Sequence, residues 1–296
     1  MDICVFGAGS LGSLVGGLLA REHTVTLVGR EPHVSAVDRD GLRVTGEIEL
    51  AVEPAARTDP PDAADLAVVT VKSFDTPDAA RALAGTRLDC VLSLQNGMGN
   101  EQQLASTLSP PVLAGTCTYG ARLVEPGVVE CTGVGEIALG PREGGTMPIA
   151  DRVGAAVDRA GLAVTVAEDM PRRVWEKLAV NAAINPTTAL ARVPNGALVS
   201  GPLRETTAAA ARETARVARS RGIELGDDRA TQGALAVAET TAANTSSMHQ
   251  DVLAGTRTEI DAINGYVVER ATAPVPVNRT LTGLVRAWER EQGLRE

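Results

Sequence analysis

The stretch Gly7-Ala8-Gly9-Ser10-Leu11-Gly12 decides the fold of this chain. It follows the apolar run at 2–6 and opens a helical pattern over 13–21, and a second apolar run follows at 24–30. A strand, a glycine loop, a helix and a strand in this order predict a βαβ unit. Gly7 permits a tight turn, Gly9 lets a pyrophosphate approach the backbone, and Gly12 lets the helix pack closely on the strand. We therefore expect residues 7–12 to bind a dinucleotide, with its diphosphate at the helix N-terminus.

The end of the second strand selects the dinucleotide. An acidic residue there binds the ribose 2′-hydroxyl of NAD, whereas an arginine accommodates the 2′-phosphate of NADP. This chain has Arg30 at that position, and Glu31 one residue later can still reach the ribose. The sequence therefore favours NADPH, with NADH as the alternative cofactor. A solvated surface charge is the other interpretation of Arg30.

Further apolar runs at 66–71, 90–94 and 112–116 alternate with helical or turn-rich segments. This alternation predicts a doubly wound, mainly parallel sheet. We expect two added strands over 128–132 and 136–140, which could form an antiparallel pair. A helix over 149–160 and a strand over 163–167 would complete the domain.

Strand signals vanish after residue 169, and helices punctuated by Pro186, Pro194-Asn195-Gly196, Gly222, Gly255 and Pro274 follow. A chain of 296 residues exceeds what one hydrophobic core usually supports. The predicted fold is α/β, with a Rossmann domain over 1–168 and an all-helical domain over 169–296. Within the second domain, the Ala- and Arg-rich segment 206–221 is typical of an exposed helix.

Composition excludes several classes of protein. The net charge of −9 argues against nucleic acid as a partner. The four cysteines have no metal-binding spacing, which indicates buried thiols in a reducing compartment and no metal. The sequence shows neither a leader pattern nor a run of about 18 apolar residues, so we expect a cytoplasmic protein without a membrane partner. The three histidines form no catalytic grouping.

Only two of the 28 basic residues are lysines, Lys72 and Lys177. An ammonium group can lose its proton near neutral pH when it is desolvated, whereas a guanidinium group cannot. Lys72 ends one predicted strand and Asn96 follows another, and ligands of such sheets bind at the carboxyl ends of strands. We expect both residues to contact cofactor or substrate. The alternatives are a base-composition bias toward arginine and a simple turn at Asn96-Gly97.

Two groups of polar residues stand out in the helical part. Lys177, Asn181 and Asn185 recur every four residues and share one helical face. Asparagine is a mediocre helix former, so this face indicates the lining of a polar cleft more than an exposed polar stripe. Asn244, Ser247 and Asp251 also follow helical spacing. Thr258-x-x-Asp261 predicts a capping box that places Glu259 in the first turn of a helix, where interaction with the helix dipole is its alternative role.

Together these segments closely resemble the ketopantoate reductase family, the 2-dehydropantoate 2-reductases. The resemblance spans the whole chain, and the later motifs are more specific than the glycine loop. The matching segments are GAGSLG at 7–12, Arg30, VTVKS at 69–73, QNGMGN at 95–100, WEKLAVNAAINP at 175–186, PNG at 194–196, NTSSMHQD at 244–251 and TEIDAING at 258–265.

The resemblance implies a second domain like the C-terminal domain of 6-phosphogluconate dehydrogenase, a substrate cleft between the domains, and NADPH-dependent reduction of ketopantoate to pantoate in pantothenate and coenzyme A biosynthesis. It makes Lys177 the catalytic acid and Glu259 the residue that anchors the substrate. Residues 7–12, Arg30, Lys72 and Asn96 would bind the cofactor. Residues that match cleft positions of the family are Asn96, Asn181, Asn185, Asn195, Asn244 and Ser247.

Two other functions stay open at this point. A related NAD(P)-dependent 2-oxoacid or β-hydroxyacid dehydrogenase would use the same lysine on another acid. A non-catalytic NADPH-binding regulator would keep the fold without turnover, although the lysine speaks against it. The sequence does not fix the oligomeric state and is compatible with a homodimer.

Overall fold

The computed structural model describes all residues from 1 to 296. Their contacts divide the chain into two units, which we describe separately. The first unit contains Met1–Gln95 and Gly99–Met170, and the second contains Asn96–Met98 and Pro171–Glu296. The predicted fold class is confirmed, since a largely parallel sheet precedes a C-terminal part that contains only helices.

The first unit is built on an eight-stranded sheet. In spatial order its strands are β12 (Val164–Val166), β11 (Ile137–Pro141), β8 (Val112–Cys117), β7 (Arg87–Ser93), β6 (Ala63–Val69), β1 (Asp2–Phe6), β2 (Thr24–Val28) and β5 (Ala55–Arg57). All neighbouring strands are parallel except β8 and β11. The chain leaves β1 toward β2 on one side and later returns to β6 on the other side, which places the topological switch point between β1 and β6.

The central strands are buried on both faces, which explains their continuous apolar sequences. Successive side chains of a strand point to opposite faces. Accordingly, Leu66 and Val68 of β6 belong to one core cluster, and Ala67 and Val69 belong to another. The helices of this unit are α1 (Ser10–Leu19), α2 (His33–Asp40), α3 (Thr76–Leu83), α4 (Asn100–Thr107) and α5 (Pro148–Arg159), with a 3₁₀ turn at Ser73–Asp75.

A second, four-stranded sheet was not predicted. Its spatial order is β4 (Leu50–Val52), β3 (Leu42–Gly46), β10 (Val128–Gly133) and β9 (Gly120–Glu125). The predicted pair of 128–132 with 136–140 is therefore wrong, because β10 pairs with β9 and β3 while β11 lies beside β8. Gly127, at φ +81°, closes the tight hairpin between β9 and β10. The continuous burial of β11 suits the main sheet, whereas β10 is buried only at alternate residues.

The second unit consists of helices around a core rich in alanine. Small side chains let the helices approach closely, which fits a chain with only 2% aromatic residues. The helices are α6 (Met170–Ala191), α7 (Gly201–Ser220), α8 (Asp227–Thr240), α9 (Ser247–Ala254), α10 (Tyr266–Arg270) and α11 (Pro276–Glu291). A 3₁₀ turn at Asn195–Leu198 and a π-helical turn at Asp261–Gly265 complete the unit.

Several local predictions for this unit are wrong. Pro186 does not end its helix, since α6 continues to Ala191. Helix α7 is not an exposed helix, because one face, including Ala211 and Ala215, is fully buried. Alanine is compatible with either environment, so its abundance did not distinguish them. Asn244 lies before α9, which begins only at Ser247.

The capping box predicted at Thr258-x-x-Asp261 does not form. The Thr258 N–H and hydroxyl both donate to Glu289, and the Asp261 carboxylate accepts from Arg286. Glu259 thus precedes the π-helical turn instead of lying in the first turn of an α-helix. Long-range partners, which a local pattern does not contain, outcompete the local capping bonds.

None of the helices combines the length and the apolar content needed to cross a bilayer. All four cysteines are buried thiols. Burial raises the pKa of Cys4 and of Cys90 to about 12, which keeps both thiols protonated at neutral pH.

A buried histidine joins three elements of the first unit. The Gly127 N–H donates to Nδ1 of His33 at 3.1 Å, so the neutral ring carries its proton on Nε2, 2.9 Å from the Ser13 hydroxyl. His33 thereby ties α2 to α1 and to the β9–β10 hairpin. Burial lowers the pKa of His33 below its ordinary value of 6.5.

The stability of the protein should therefore fall in acid through His33. A lowered folded-state pKa means that the contribution is present above pH 6.5 and is lost as the pH falls through the folded-state value. His33→Gln should flatten this part of the pH dependence of the urea unfolding midpoint. The matched control is His23→Gln, which leaves the His33 contacts intact and should keep the acid-dependent loss. An unchanged pH profile in His33→Gln would refute the assignment.

Candidate active site

Two glycines of the loop at residues 7–12 are required by the packing of the first unit. Gly7 has φ +114°, and a Cβ there would lie 2.6 Å from the Val71 nitrogen. A Cβ on Gly12 would lie 2.2 Å from the Gly7 carbonyl oxygen, which also accepts a hydrogen bond of 2.9 Å from the Thr70 hydroxyl. Both positions exclude any larger residue.

Gly9 is different, because the fold itself does not require a glycine there. Its φ is not positive, and a Cβ would find its nearest neighbour only at 4.0 Å. The first helical bond of α1 runs from the Ser13 N–H to the Gly9 carbonyl at 2.9 Å. The amides of residues 10–12 therefore have no acceptor within the helix. An open approach over Gly9 toward these amides fits the diphosphate of a dinucleotide.

Arg30 and Lys72 follow β2 and β6, at the carboxyl edge of the main sheet. The side chain of Arg30 is 88% exposed and pairs with Asp75 at 2.8 Å. Lys72 directly precedes the 3₁₀ turn that carries Asp75. Because such an exposed ion pair contributes little to stability, an incoming anion can replace the carboxylate at small cost.

Gln95 fixes the ends of neighbouring strands at this edge. Its amide donates to the Val71 carbonyl at 3.1 Å and to the Thr76 hydroxyl at 2.7 Å. The Thr76 hydroxyl in turn donates to Asn100 at 2.9 Å. This buried chain holds the segments that follow β6 and β7.

In the second unit, α6 carries Lys177, Asn181 and Asn185 on one face. Ala179 and Ala183, which lie on the opposite side of the helix, are fully buried in the core. Lys177 and Asn181 are half-buried, whereas Asn185 is only 6% exposed. The structure therefore places an ammonium group and two amides in a row.

Ser247 lies beside this row, since the Asn185 amide donates to its hydroxyl at 3.5 Å. Ser246 instead has a structural role. Its side chain caps α9 by accepting from the His249 N–H at 3.2 Å, and its hydroxyl is 2.7 Å from that of Thr188. The Thr188–Ser246 contact holds α9 against α6 and so brings Ser247 to Asn185.

Asn195 and Asn244 meet through their backbones, with the Asn195 N–H 3.0 Å from the Asn244 carbonyl. The Asn195 side chain is buried and donates to the Thr241 hydroxyl at 2.9 Å, while Asn244 is exposed. Asn195 thus anchors the end of α8 with its amide nitrogen. Its Oδ1 is buried without a partner in this structure.

Glu259 is 5% exposed, and residues on both sides of it are held by a charged network. Glu289, fully buried, accepts from the Thr258 N–H at 2.8 Å and from the Arg295 Nε at 2.8 Å. Arg295 also donates to Asp261. Burial alone would raise the pKa of Asp261, but hydrogen bonds from Arg295 and Arg286 outweigh it and hold this pKa below the ordinary 3.8.

The segment Asn96–Met98 belongs to the second unit by its contacts. The Met98 N–H donates to the Ala262 carbonyl at 2.9 Å. Gly97 has φ +80°, and a Cβ on this residue would lie 2.6 Å from the Ala262 Cβ. Gly97 therefore lets Asn96 lie close to the segment that carries Glu259, and it is more than a local turn former.

Family models match both units of the chain. The model described as "Ketopantoate reductase PanE/ApbA" matches residues 3–144, and "Ketopantoate reductase PanE/ApbA C terminal" matches residues 169–289. The chain belongs to the ketopantoate reductase family.

Relatives within this ketopantoate reductase family cover the full length. A 2-dehydropantoate 2-reductase of Halobacterium salinarum is 45% identical over 98% of this chain and 100% of its own. The crystal structure of a PanE/ApbA family ketopantoate reductase from Ralstonia eutropha superimposes with a TM-score of 0.91 at 35% identity, over 99% and 100% of the two chains. D-mandelate dehydrogenase with NADH and anilino(oxo)acetate gives a TM-score of 0.93 over 100% of both chains, and its 24% identity shows the fold alone.

Three residues that hold candidate site segments in place were not identified from the sequence, namely Gln95 in the first unit and Thr188 and Ser246 in the second. A serine directly before a helix is an N-cap signal that could have indicated Ser246. Nothing local marks Gln95 or Thr188, because their partners lie 19 and 58 residues away along the chain.

Alanine substitutions should separate the two kinds of glycine in the loop. Gly12→Ala should lower the unfolding midpoint, because its Cβ would overlap the Gly7 carbonyl. Gly9→Ala should leave the midpoint nearly unchanged and weaken nicotinamide cofactor binding at least about tenfold, since the methyl group occupies the diphosphate approach. Urea unfolding and fluorescence titration with cofactor measure the two effects. Normal cofactor binding in Gly9→Ala would show that the diphosphate binds elsewhere.

Proposed function

We propose that this protein reduces 2-dehydropantoate (ketopantoate) to pantoate, with NADPH as the preferred cofactor. Two relatives named for this reaction match 98% of this chain, at 45% and 39% identity. The observation that carries the proposal is the α6 face, where Lys177 and Asn181 continue into Asn185 and its contact with Ser247. This face offers a proton donor and several hydrogen-bonding groups suited to a small 2-oxoacid.

Lys177 acts as the general acid in this proposal. The reduced nicotinamide, when bound, supplies the hydride for the substrate carbonyl carbon. Lys177 stabilises the negative charge that develops on the carbonyl oxygen and then donates its proton to it. An anionic substrate also needs a local positive charge on a protein whose net charge is −9. Lys177 meets both needs.

The remaining polar residues bind and orient the substrate. Ser247 and Asn244 bind the substrate carboxylate, and Glu259 accepts a hydrogen bond from the distal hydroxyl. Burial of Glu259 supports this role, because a hydrogen bond to a buried carboxylate is stronger than one that is exposed to water. Asn96, Asn181, Asn185 and Asn195 line the site as further hydrogen-bonding groups.

The preference for NADPH rests on Arg30. Its exposed guanidinium pairs with Asp75 at 2.8 Å, and a 2′-phosphate can take the place of that carboxylate. The Glu31 carboxylate accepts from the Ser35 hydroxyl at 2.7 Å, an interaction that competes with binding of a ribose hydroxyl. Lys72 binds the cofactor beside Arg30 in this proposal.

We also propose that the protein works in the cytoplasm, because its four buried free thiols suit a reducing compartment. Assembly into a homodimer stays a prediction.

Turnover of ketopantoate tests the function directly. NADPH oxidation should be fast with ketopantoate and poor with its deoxy analogue, 2-oxo-3,3-dimethylbutanoate, in a panel of 2-oxoacids. Lys177→Ala should lower kcat by about 100-fold or more with little change in NADPH binding, the usual scale for a positioned acid.

The control variant is Arg204→Ala, which removes one positive charge from an exposed position of α7 and should retain full activity. A preference for another 2-oxoacid would favour a different dehydrogenase of this build. Absence of turnover with every acid would favour the regulator. Near-normal turnover of Lys177→Ala would remove this lysine from the mechanism.

Arg30 and Asp75 give a matched pair of cofactor tests. Arg30→Ala should weaken NADPH binding about tenfold or more and leave NADH binding nearly unchanged, because only NADPH carries the 2′-phosphate. Asp75→Ala removes the competing carboxylate, so NADPH binding should be as tight or tighter. The dissociation constants of both cofactors measure this. Equal losses for NADPH and NADH in Arg30→Ala would contradict the assignment.

A further inference from the structure

Helix α6 contains a proline at a buried position, two turns beyond Lys177. Pro186 has no N–H, so the Ala182 carbonyl four residues earlier has no helical donor. The proline ring also crowds that carbonyl and tends to bend the helix there. Ala182 is fully buried, and an unpaired buried carbonyl would be costly.

Asn264 supplies the missing hydrogen bond. Its Nδ2 donates to the Ala182 carbonyl at 2.9 Å, although 82 residues separate the two along the chain. Asn264 is itself fully buried and lies in the π-helical turn Asp261–Gly265. In this turn the Gly265 N–H donates to the Ile260 carbonyl at 2.8 Å, five residues earlier.

The orientation of the Asn264 amide is set by a second asparagine and a buried glutamate. Asn278 Nδ2 donates to the Glu213 carboxylate at 2.8 Å, and a carboxylate can only accept. Asn278 Oδ1 therefore faces Asn264 and accepts from its Nδ2 at 2.9 Å. The amide oxygen and nitrogen of each side chain are thus fixed by the network.

Glu213, only 3% exposed, is held in turn by the start of α11. Its carboxylate accepts from the N–H groups of Val277 and Asn278 at 3.0 and 2.9 Å. These amides belong to the first turn of α11 and have no acceptor within the helix. A chain of hydrogen bonds therefore runs from α7 through α11 and the π-helical turn into the middle of α6.

We propose that Asn264 is a positioning residue, which replaces the hydrogen bond that Pro186 omits and thereby fixes the course of α6 at Asn185. Asn185 lies between the repaired carbonyl and Pro186, and its amide meets Ser247. A rigid connection at this point sets where the α6 face presents its amides to the substrate. The inference deepens the proposed function and rests on it only for its kinetic readout.

A double-mutant cycle tests this proposal. Asn264→Ala should raise KM for ketopantoate about tenfold and lower kcat by a smaller factor, since Asn185 is displaced. The NADPH dissociation constant should change by no more than about twofold. In a Pro186→Ala background, residue 186 regains an N–H for the Ala182 carbonyl. There, Asn264→Ala should change KM by no more than about twofold.

The unfolding midpoint in urea gives a second readout that does not need activity. Asn264→Ala should lower it clearly in the parent protein and much less in the Pro186→Ala background. Thr207→Val is the matched control, because it removes another buried hydrogen bond of this unit, from its hydroxyl to the Leu203 carbonyl. It should lower the midpoint without raising KM. If Asn264→Ala does not fold, Asn264→Ser takes its place in the cycle.

Two outcomes would overturn the proposal. Equal effects of Asn264→Ala in both backgrounds would mean that its bond to Ala182 does not compensate for Pro186. A lower midpoint with an unchanged KM would leave Asn264 as a purely structural residue. If the parent protein fails to reduce ketopantoate, the proposed function fails, and the midpoint cycle alone then decides whether the hydrogen bond is replaced as described.

Discussion

The carbonyl oxygen of Gly7 is the point on which the first unit depends. It lies so close to Gly12 that a side chain on Gly12 would overlap it. It also accepts a hydrogen bond of 2.9 Å from the Thr70 hydroxyl. Helix α1, strand β1 and the end of β6 are therefore fixed relative to one oxygen atom at the switch point. These contacts fix the position of the first turn of α1 and of its amides. The space over Gly9, in front of these amides, stays open. The proposed binding of a diphosphate at this loop would therefore depend on backbone amides and on the absence of a side chain at Gly9.

In the second unit the relative positions of the helices must be fixed around a core that is built largely from alanine. Alanine buries little apolar surface, so it specifies the relative positions of helices weakly. Buried charges and amides add that specification, as Glu213 does at the start of α11 and Glu289 at Thr258. Removing one partner of such a network leaves a buried polar group unpaired, which is strongly destabilising. Within this unit, buried polar contacts such as Thr188–Ser246 lie directly behind the candidate site residues Asn185 and Ser247.

This difference explains how far the sequence could predict the structure. The βαβ unit and the shared face of Lys177, Asn181 and Asn185 follow from local spacing, which the structure keeps. The capping box at Thr258 and the pairing of the strand at 128–132 were wrong, because distant partners decided both. Helix α6 shows both cases together. The polar face of this helix follows from the spacing of its residues. The hydrogen bond from Asn264 to the Ala182 carbonyl, beside Pro186, joins residues 82 positions apart and cannot be identified from spacing along the chain.

Glu259 is likewise held in place by its neighbours. The Thr258 N–H donates to Glu289, and Asp261 accepts from Arg295. The carbonyl of Glu259 itself accepts a hydrogen bond from the Ile263 N–H at 3.1 Å. These bonds fix the backbone before and after the residue. In the proposed function the Glu259 carboxylate distinguishes substrates by a single hydroxyl, which requires that the carboxylate stays in one position. The hydrogen bonds on both sides of Glu259 fix its backbone and so help to keep its side chain in one place.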